Sequence, residues 1–295
     1  MFESLRYRDF RWMLAGSFIS FMAIMMQMIT RGWLVLRLAD DSPLALALVM
    51  ASFSVPSTFM GLIGGALADR ISRKRMIVIG QSGNAALTLL IGILDFTGVV
   101  TFWHVLVIGF ANGSMMALNM PSRQAIISDI VPEDHLMNAI SLSNSSMNLT
   151  RIAGPALAGF LILFIGTSGV FFLVAGTFIL GAASMAMVNT NSTPTRTSSV
   201  GLAGDIKAGF TYAFSDRAIL GVIVLMLLSV LFGHSYNALM PAWAREALDI
   251  QSDGLGMLML IMGVGALVGT LGLAGIQKVS HRGLVLLGSC MIWGV

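Results

Sequence analysis

Charged residues are concentrated in the stretch GGALADRISRKRM, residues 64–76, which separates two long apolar segments. It contains one carboxylate, Asp69, followed by Arg70, Arg73, Lys74 and Arg75. A carboxylate placed here can pair with a basic side chain and can accept hydrogen bonds from a helix N-terminus. It could therefore hold two packed helical units together in one state and release them in another. The alternative is a basic surface loop, since exposed ion pairs contribute only about 0–1 kcal/mol.

Two arginines occur inside apolar segments and could bind a ligand. Arg151 lies near the middle of one segment, and Arg31 lies in the last third of another. A cation at membrane depth is unfavourable unless it is paired or hydrated. We therefore expect Arg151 to line a water-filled cavity, whereas Arg31 either does the same or extends to the membrane surface.

The ligand expected in such a cavity is an anionic or zwitterionic small molecule, because no Asp or Glu lies deep in the first six apolar segments. The residues predicted to contact it are Arg31, Asn112, Asn144, Asn148 and Arg151. His234 lies at membrane depth in a later segment. Histidine titrates near neutral pH, so His234 could carry a coupling proton; a neutral histidine bonded to a neighbour is the alternative.

Catalytic chemistry finds no support in the sequence. Four histidines and one cysteine cannot be assembled into a nucleophile, a base and an orienting group. A phosphate-binding GxxxxGK loop and paired cysteines spaced for a metal are also missing from the sequence. We predict a protein that is not an enzyme and has neither cofactor nor metal.

The composition indicates where these residues must be placed. Hydrophobic residues make up 56% of the chain and charged residues 11%, against roughly 25% charged residues in soluble proteins. Several apolar stretches exceed the roughly 20 residues that a helix needs to cross a bilayer. The predicted spans are residues 12–37, 44–68, 76–96, 100–121, 138–165, 168–188, 218–241 and 254–276, with another beginning at 283.

Basic residues predict the orientation of these spans. If the N-terminus is cytoplasmic, most of the 17 Lys and Arg residues, Arg123 among them, lie beside cytoplasmic ends, as the positive-inside rule requires. The excess of base is thereby explained without nucleic-acid binding. We predict a multi-pass protein of the cytoplasmic (inner) membrane that is embedded in the lipid bilayer as a monomer.

A change of composition and a repeat divide the chain. Residues 189–217 begin with a Ser- and Thr-rich stretch and continue with an amphipathic pattern, which predicts a cytoplasmic linker with an interfacial helix. The sequence SRKRMIVIG at 72–80 recurs as SHRGLVLLG at 280–288. This repeat indicates a duplicated six-helix unit. Residues 1–188 would then form a complete N-terminal half, and residues 218–295 the first two to three helices of a C-terminal half.

Three motifs resemble the major facilitator superfamily. The residues Gly65, Asp69, Arg70, Arg73 and Lys74 resemble its loop signature G-x-L-A-D-R-x-G-R-R, and we call this set the charge latch. The stretch RIAGPALAGF resembles its helix-five antiporter motif, with Gly154, Pro155 and Gly159 retained. Residues 120–149 are similar to a stretch found in the drug and siderophore exporter branch, which includes macrolide and enterobactin efflux proteins.

This resemblance implies an all-α membrane protein with a twelve-helix fold, of which the chain would lack the last part. It further implies a secondary-active transporter, a proton-coupled exporter of drug-like or siderophore-like small molecules that works by alternating access. The charge latch would then hold one conformation by contacting the second half. The alternative is a truncated membrane protein that does not transport and instead binds a ligand or a partner.

Overall fold

The computed structural model describes residues 3–68 and 71–189, without the side chains of residues 62–68, and a few single helical positions between residues 215 and 261. Within these ranges the chain forms helices and no strands. The helices are α1 (Arg8–Leu38), α2 (Pro43–Ala68), α3 (Arg73–Phe96), α4 (Phe102–Ile130) and α5 (Glu133–Ala186). All five contain a stretch that is long and apolar enough to cross a membrane. Apart from the single positions, the predicted linker and C-terminal half lie outside the described residues.

Local chemistry fixes the starts of two helices. Pro43 is the first residue of α2, and the Ser42 hydroxyl accepts a hydrogen bond from the Ala45 N–H at 3.3 Å. At the start of α4, Thr101 and His104 form a reciprocal capping box, in which the Thr101 N–H donates to His104 Nδ1 at 3.1 Å. Both arrangements satisfy backbone donors that a helix N-terminus leaves unpaired.

The long helix α5 consists of two arms. Its 54 residues would extend about 80 Å if straight, well beyond the ~30 Å of a hydrocarbon core. Gly166 interrupts it with φ 66° and ψ 178°, a conformation open to glycine and strained for residues with a Cβ. The arms, residues 133–165 and 167–186, match the predicted spans 138–165 and 168–188. Together with α1–α4 they provide the six helical segments predicted for the N-terminal half.

The segments run antiparallel, as their core contacts show. One cluster joins the starts of α1 and α3 to the end of α4, the start of α5 and its last turn. It consists of Phe10, Met13, Ile77, Ile126, Ile127, Val131, Ala139, Met185 and Val188. A second cluster joins the opposite termini and consists of Leu34, Val35, Ala45, Val49, Ile91, Val100, Val105, Ile108 and Phe171. We call the region of the first cluster the first end of the bundle and that of the other cluster the second end.

The helix α4 is longer than predicted. It ends at Ile130, whereas the predicted span ended at residue 121. Pro121 lies inside the helix, and Ser122 and Arg123, which follow it, are buried. The apolar stretch ends at 121, but the helix continues because α1 supplies a hydroxyl and an aromatic ring as partners for Arg123.

The helices α2 and α4 approach each other closely. The sequence GFANG, residues 109–113, places two glycines one turn apart on α4. A Cβ at Gly113 would overlap the backbone carbonyl of Phe53 and would lie 3.0 Å from Pro56 Cγ. Small residues at such spacing are typical of tightly packed membrane helices.

Candidate functional site

Polar side chains are buried along the interior of the bundle. They lie on α1, α3 and α4 and include Ser17, Ser20, Gln27, Thr30, Arg31, Gln81, Asn84, Thr88, Asn112, Asn119, Ser122 and Arg123. Some pair across helices, as where Gln27 Nε2 donates to Thr88 Oγ1 at 2.7 Å. Because hydrocarbon offers no hydrogen-bond partner, polar groups of a membrane bundle face its interior or a water-filled cavity. The interior is therefore where a ligand site is expected.

A cavity of about 310 Å³ lies between α1, α4 and the first arm of α5. Its lining residues are Met13, Ser17, Phe21, Met120, Arg123, Gln124, Ile127, Ile140, Ser143, Asn144 and Met147. Arg123 and Ser17 are buried, whereas Gln124 and Asn144 are exposed. The cavity thus has a buried polar wall and an exposed polar edge, with methionine and isoleucine side chains between them. We call it the Arg123 cavity.

Three neighbours fix the guanidinium of Arg123. Nε donates to Asn119 Oδ1 at 2.8 Å, and Nη1 donates to Ser17 Oγ at 2.5 Å. The Phe21 ring lies under the guanidinium carbon, 5.4 Å from ring centroid to Cζ. Nη2 has no hydrogen-bond partner in the described part of the chain. The cation is held in one orientation and keeps unused donors.

A second buried arginine, Arg31, lies toward the second end. Its side chain is almost completely enclosed, with its guanidinium carbon 5.6 Å from the Phe53 ring centroid. Nε and Nη2 of Arg31 and both polar side-chain atoms of Asn112 lack hydrogen-bond partners among the described residues. Arg31 is therefore enclosed by the described part of the bundle, and its contact with a ligand remains a prediction.

The other predicted ligand contacts lie on one face of α5. Asn144, Asn148 and Arg151 are spaced four and three residues apart and are all exposed, so they share a helical face. Of the five predicted contacts, Asn144 lines the Arg123 cavity, while Arg31 and Asn112 lie deeper along α1 and α4. That Arg151 lines a cavity remains a prediction.

The basic residues of the charge latch make contacts within the bundle. Arg73 Nη1 donates to Asp129 Oδ1 and to the Ala125 carbonyl, each at 2.7 Å. Lys74 Nζ donates to the Val188 carbonyl at 2.6 Å. These bonds tie the start of α3 to α4 and to the residues after α5. Gly65 lies near the end of α2; Asp69 and Arg70 lie outside the described residues.

The second end of the bundle has its own ion pair. The Arg37 guanidinium donates to Asp95 Oδ1, and Thr167 Oγ1 donates to Asp95 Oδ2 at 2.5 Å. The Asp95 side chain is buried, while that of Arg37 is 55% exposed. This group joins α1 and α3 to the second arm of α5, directly after the turn at Gly166.

The helix-five motif lies where α5 contacts α1. Gly154, Pro155 and Gly159 are buried. A Cβ at Gly154 would overlap Cβ of Met25 on α1, so this glycine permits a close helix contact. Backbone angles remain helical through Pro155, and the interruption of α5 comes at Gly166. In the described structure the motif therefore lies at a close packing contact between α5 and α1.

Two further predictions concern proton coupling and metals. His234 lies outside the described residues. Among the residues that are described, no three His, Cys, Asp or Glu side chains are grouped so that they could hold a metal ion.

Sequence reasoning missed two residues of this region. Arg123 was assigned to a cytoplasmic surface, and Asp129 was given no role. Both lie in the stretch at 120–149 that carries the resemblance to exporters, where PSRQA and SDIVP bring an arginine and an aspartate into α4, a helix with no other Lys, Arg, Asp or Glu. Charged residues inside this motif are the sequence signal that could have identified Arg123 and Asp129.

Residues 1–293 match a protein family described as transmembrane secretion effector. Curated relatives include the staphyloferrin A transporter of Staphylococcus aureus, 23% identical over 91% of this chain and 67% of that protein. Macrolide efflux protein A of Streptococcus pyogenes is 22% identical over 89% of this chain and 66% of that protein. The MFS-type transporter YfiS of Bacillus subtilis is 32% identical over 48% of this chain and 33% of that protein. The chain therefore spans one third to two thirds of the length of these relatives.

Solved structures show the same fold. A crystal structure of a bacterial homologue of the human lysosomal transporter Spinster, inward-facing and unoccupied, aligns with a TM-score of 0.67 and 15% identity. The alignment covers 92% of this chain and 64% of that one. The predicted superfamily and fold class are thereby confirmed, and the family and its relatives are transporters and not enzymes. The chain belongs to the transmembrane secretion effector family of the major facilitator superfamily and is a multi-pass, all-helical membrane protein.

Proposed function

We propose that this protein is a secondary-active exporter of small molecules that is driven by protons and works by alternating access. The observation that carries the proposal is the Arg123 cavity, a space of about 310 Å³ with polar and apolar walls inside a membrane helix bundle. A volume of this size suits a small organic molecule. The relatives named for staphyloferrin A transport and macrolide efflux support a cargo of that kind.

The cargo is anionic or zwitterionic in this proposal. Arg31 and Arg123 put two cations into the interior, and the exposed face of Asn144, Asn148 and Arg151 adds amides and a third guanidinium. A site rich in such donors favours carboxylate or phosphate groups over cations. His234 would carry the coupling proton, and the N-terminus would be cytoplasmic.

The charge latch would govern the change of conformation. Arg73 and Lys74 are bonded to α4 and to the residue after α5, so the start of α3 is fixed to its own half. Asp69 comes four residues before Arg73 and would be the group that contacts the other half. Alternating access then requires that contact to form in one state and to break in the other.

Substitution of the latch carboxylate tests this proposal. Asp69→Asn should reduce export of a carboxylate siderophore about tenfold or more, because the amide keeps the shape of the side chain but loses its charge. Export is measured as decreased accumulation in efflux-deficient cells that carry the complete gene, with membrane abundance determined in parallel. Energy coupling is measured in proteoliposomes with an imposed pH gradient.

Asp40→Asn provides the matched control, because Asp40 is an exposed carboxylate in the turn between α1 and α2. Its export should equal that of the unchanged protein. Full export activity of Asp69→Asn at normal membrane abundance would reject the proposed role of the charge latch. Binding of the cargo without any transport would favour the alternative of a membrane protein that binds ligands.

A further inference from the structure

Arg123 contributes to the cavity a charge that the described residues do not neutralise. The described ion pairs involve Arg37, Arg73 and His135. Asp129, the carboxylate one to two turns beyond Arg123 on α4, is bonded to Arg73. A buried cation in a membrane protein needs a counter-charge or water. An anionic group in the Arg123 cavity would supply it.

We propose that Arg123 anchors a binding site for a soluble organic anion, with the charged group on the guanidinium and an apolar body along the cavity. The proposal rests on the transport function proposed above and names the class of cargo and a residue that holds it. It assigns Arg123 a binding role in place of the topological role predicted from the sequence.

The guanidinium is prepared for a planar anion. Of its five N–H groups, one is used by Asn119 and one by Ser17, while the face stacks on Phe21. These contacts fix the plane of the group and leave both hydrogens of Nη2 without acceptors among the described residues. A carboxylate on one guanidinium edge accepts one hydrogen from each of two nitrogens, so Nη2 would supply one of these bonds and the second hydrogen of Nη1 the other.

The remaining wall of the cavity suits an apolar body with a polar edge. Met13, Met120 and Met147 line it together with Ile127 and Ile140. Methionine side chains adapt to ligands of different shape. Ser143 contributes a buried hydroxyl without a partner in the described ranges. A medium-chain monocarboxylate, with one charge and a flexible chain, is the simplest molecule that matches this pattern.

Equilibrium binding tests the site with octanoate as the probe. The chain is placed in nanodiscs of phosphatidylcholine, and bound radiolabelled octanoate is measured without any ion gradient. Arg123→Gln should weaken binding about 10–100-fold, as expected when hydrogen bonds to a charged group are lost. Arg123→Lys should bind with intermediate affinity, because the charge remains and the planar edge does not. Arg11→Gln is the matched control, an exposed arginine of α1 that does not line the cavity, and should bind like the unchanged protein.

A second variant protects the test against misfolding of Arg123→Gln. Asn144→Asp adds a negative charge at the exposed edge of the cavity. It should weaken octanoate binding and strengthen binding of octylammonium, a reversal that a folding defect cannot produce. Size-exclusion profiles and melting temperatures of all variants are recorded alongside.

Several results would overturn the proposal. The first is equal affinity of Arg123→Gln and Arg11→Gln for octanoate. The second is equal affinity of the unchanged protein for octanoate and for octanol, which has no charge. The third is displacement of octanoate by phosphatidylglycerol, which would make the natural anion a lipid headgroup. Since the assay needs neither export nor protons, octanoate binding that depends on Arg123 in a protein that does not export would reject the proposed function and leave this site standing.

Discussion

The two buried arginines of the bundle occupy different surroundings. Arg123 donates to two side chains and lines a cavity with an exposed edge. Arg31 lies over Phe53 and is enclosed where α2 and α4 come together at Gly109 and Gly113. Each cation faces an aromatic ring, but Arg123 has fixed partners and an adjoining space, and Arg31 has two nitrogens without partners in the described ranges. The same residue type is suited to ligand binding in one place and carries a cost in stability in the other.

That cost gives Arg31 a functional interpretation. Burial of a charge without partners lowers stability, and proteins retain such groups where function requires them. The neighbouring Asn112 is also completely buried with both polar side-chain atoms unpaired among the described residues. We expect the Arg31 region to obtain its partners in another conformation of the alternating-access cycle proposed above.

Disrupting the close contact of α2 and α4 beside Arg31 should have the largest effect on stability. Gly113→Val would place a side chain against the Phe53 carbonyl, a backbone atom that cannot move aside alone. Overpacking typically costs about 1–3 kcal/mol and occasionally more, and the backbone obstacle puts Gly113→Val at the upper end, so the melting temperature should fall strongly and the monodisperse size-exclusion peak should diminish. Gly176→Val is the control, because a Cβ there meets no atom within 4 Å. Equal losses in the two variants would contradict the close contact of α2 and α4.

Replacing each of the two buried arginines, Arg31 and Arg123, with methionine compares how their surroundings affect stability. Arg31→Met should raise the free energy of unfolding by about 1–4 kcal/mol, the range for buried ion pairs replaced by apolar residues of similar volume, while the proposed export decreases. Arg123→Met should give a smaller gain or a loss, because it leaves Ser17 and Asn119 without their donor. Thermal unfolding in nanodiscs measures both. A gain for Arg123→Met as large as that for Arg31→Met would abolish the distinction.

Arginines that have a carboxylate partner should show the smallest changes. Arg37→Gln removes the counter-ion of the buried Asp95 and should cost about 1–2 kcal/mol, less than a fully buried pair because Arg37 is half exposed. Arg73→Gln should cost about 1 kcal/mol or less, since both members of its pair with Asp129 are partly exposed. Melting temperatures compare the two ends of the bundle. If Arg73→Gln lowered the melting temperature more than Arg37→Gln, the pair of Arg73 with Asp129 would be the more buried of the two, contrary to this expectation.

The fold was predictable from the sequence because length and hydropathy alone decide which segments can cross a bilayer. The bounds of α1, α2 and α3 agree with the prediction within a few residues, and the division of α5 at Gly166 falls between two predicted spans. The error at α4 has a physical origin. Hydropathy marks where an apolar run stops, whereas α4 continues past that point with Arg123 bonded to Ser17 and with Ile126 and Ile127 packed in the core.

The site was predictable only in part. Arg31 and Asn112 are predicted ligand contacts, with surface extension as the alternative for Arg31, and both are buried in the bundle; that they bind a ligand stays a prediction. The positive-inside rule predicts only that Arg123 lies beside a cytoplasmic end, because a sequence does not show whether an arginine near a helix end reaches water or turns inward. Ser17, Phe21 and Asn119, which turn it inward, come from one turn of its own helix and from a helix about 100 residues away. Contacts between residues so far apart in the chain produce no periodic pattern in the sequence from which they could be predicted.

The bond between Thr167 and Asp95 has a consequence for biosynthesis. Membrane segments emerge from the ribosome in sequence order, so Arg37 and Asp95 enter the bilayer before residue 167 has been synthesised. Asp95 acquires its hydroxyl donor when the second arm of α5 is inserted and folds back from Gly166. Completion of the polar network at that end is therefore expected to be a late event, and nascent chains arrested before residue 167 should be more accessible to quality-control proteases than chains arrested after it.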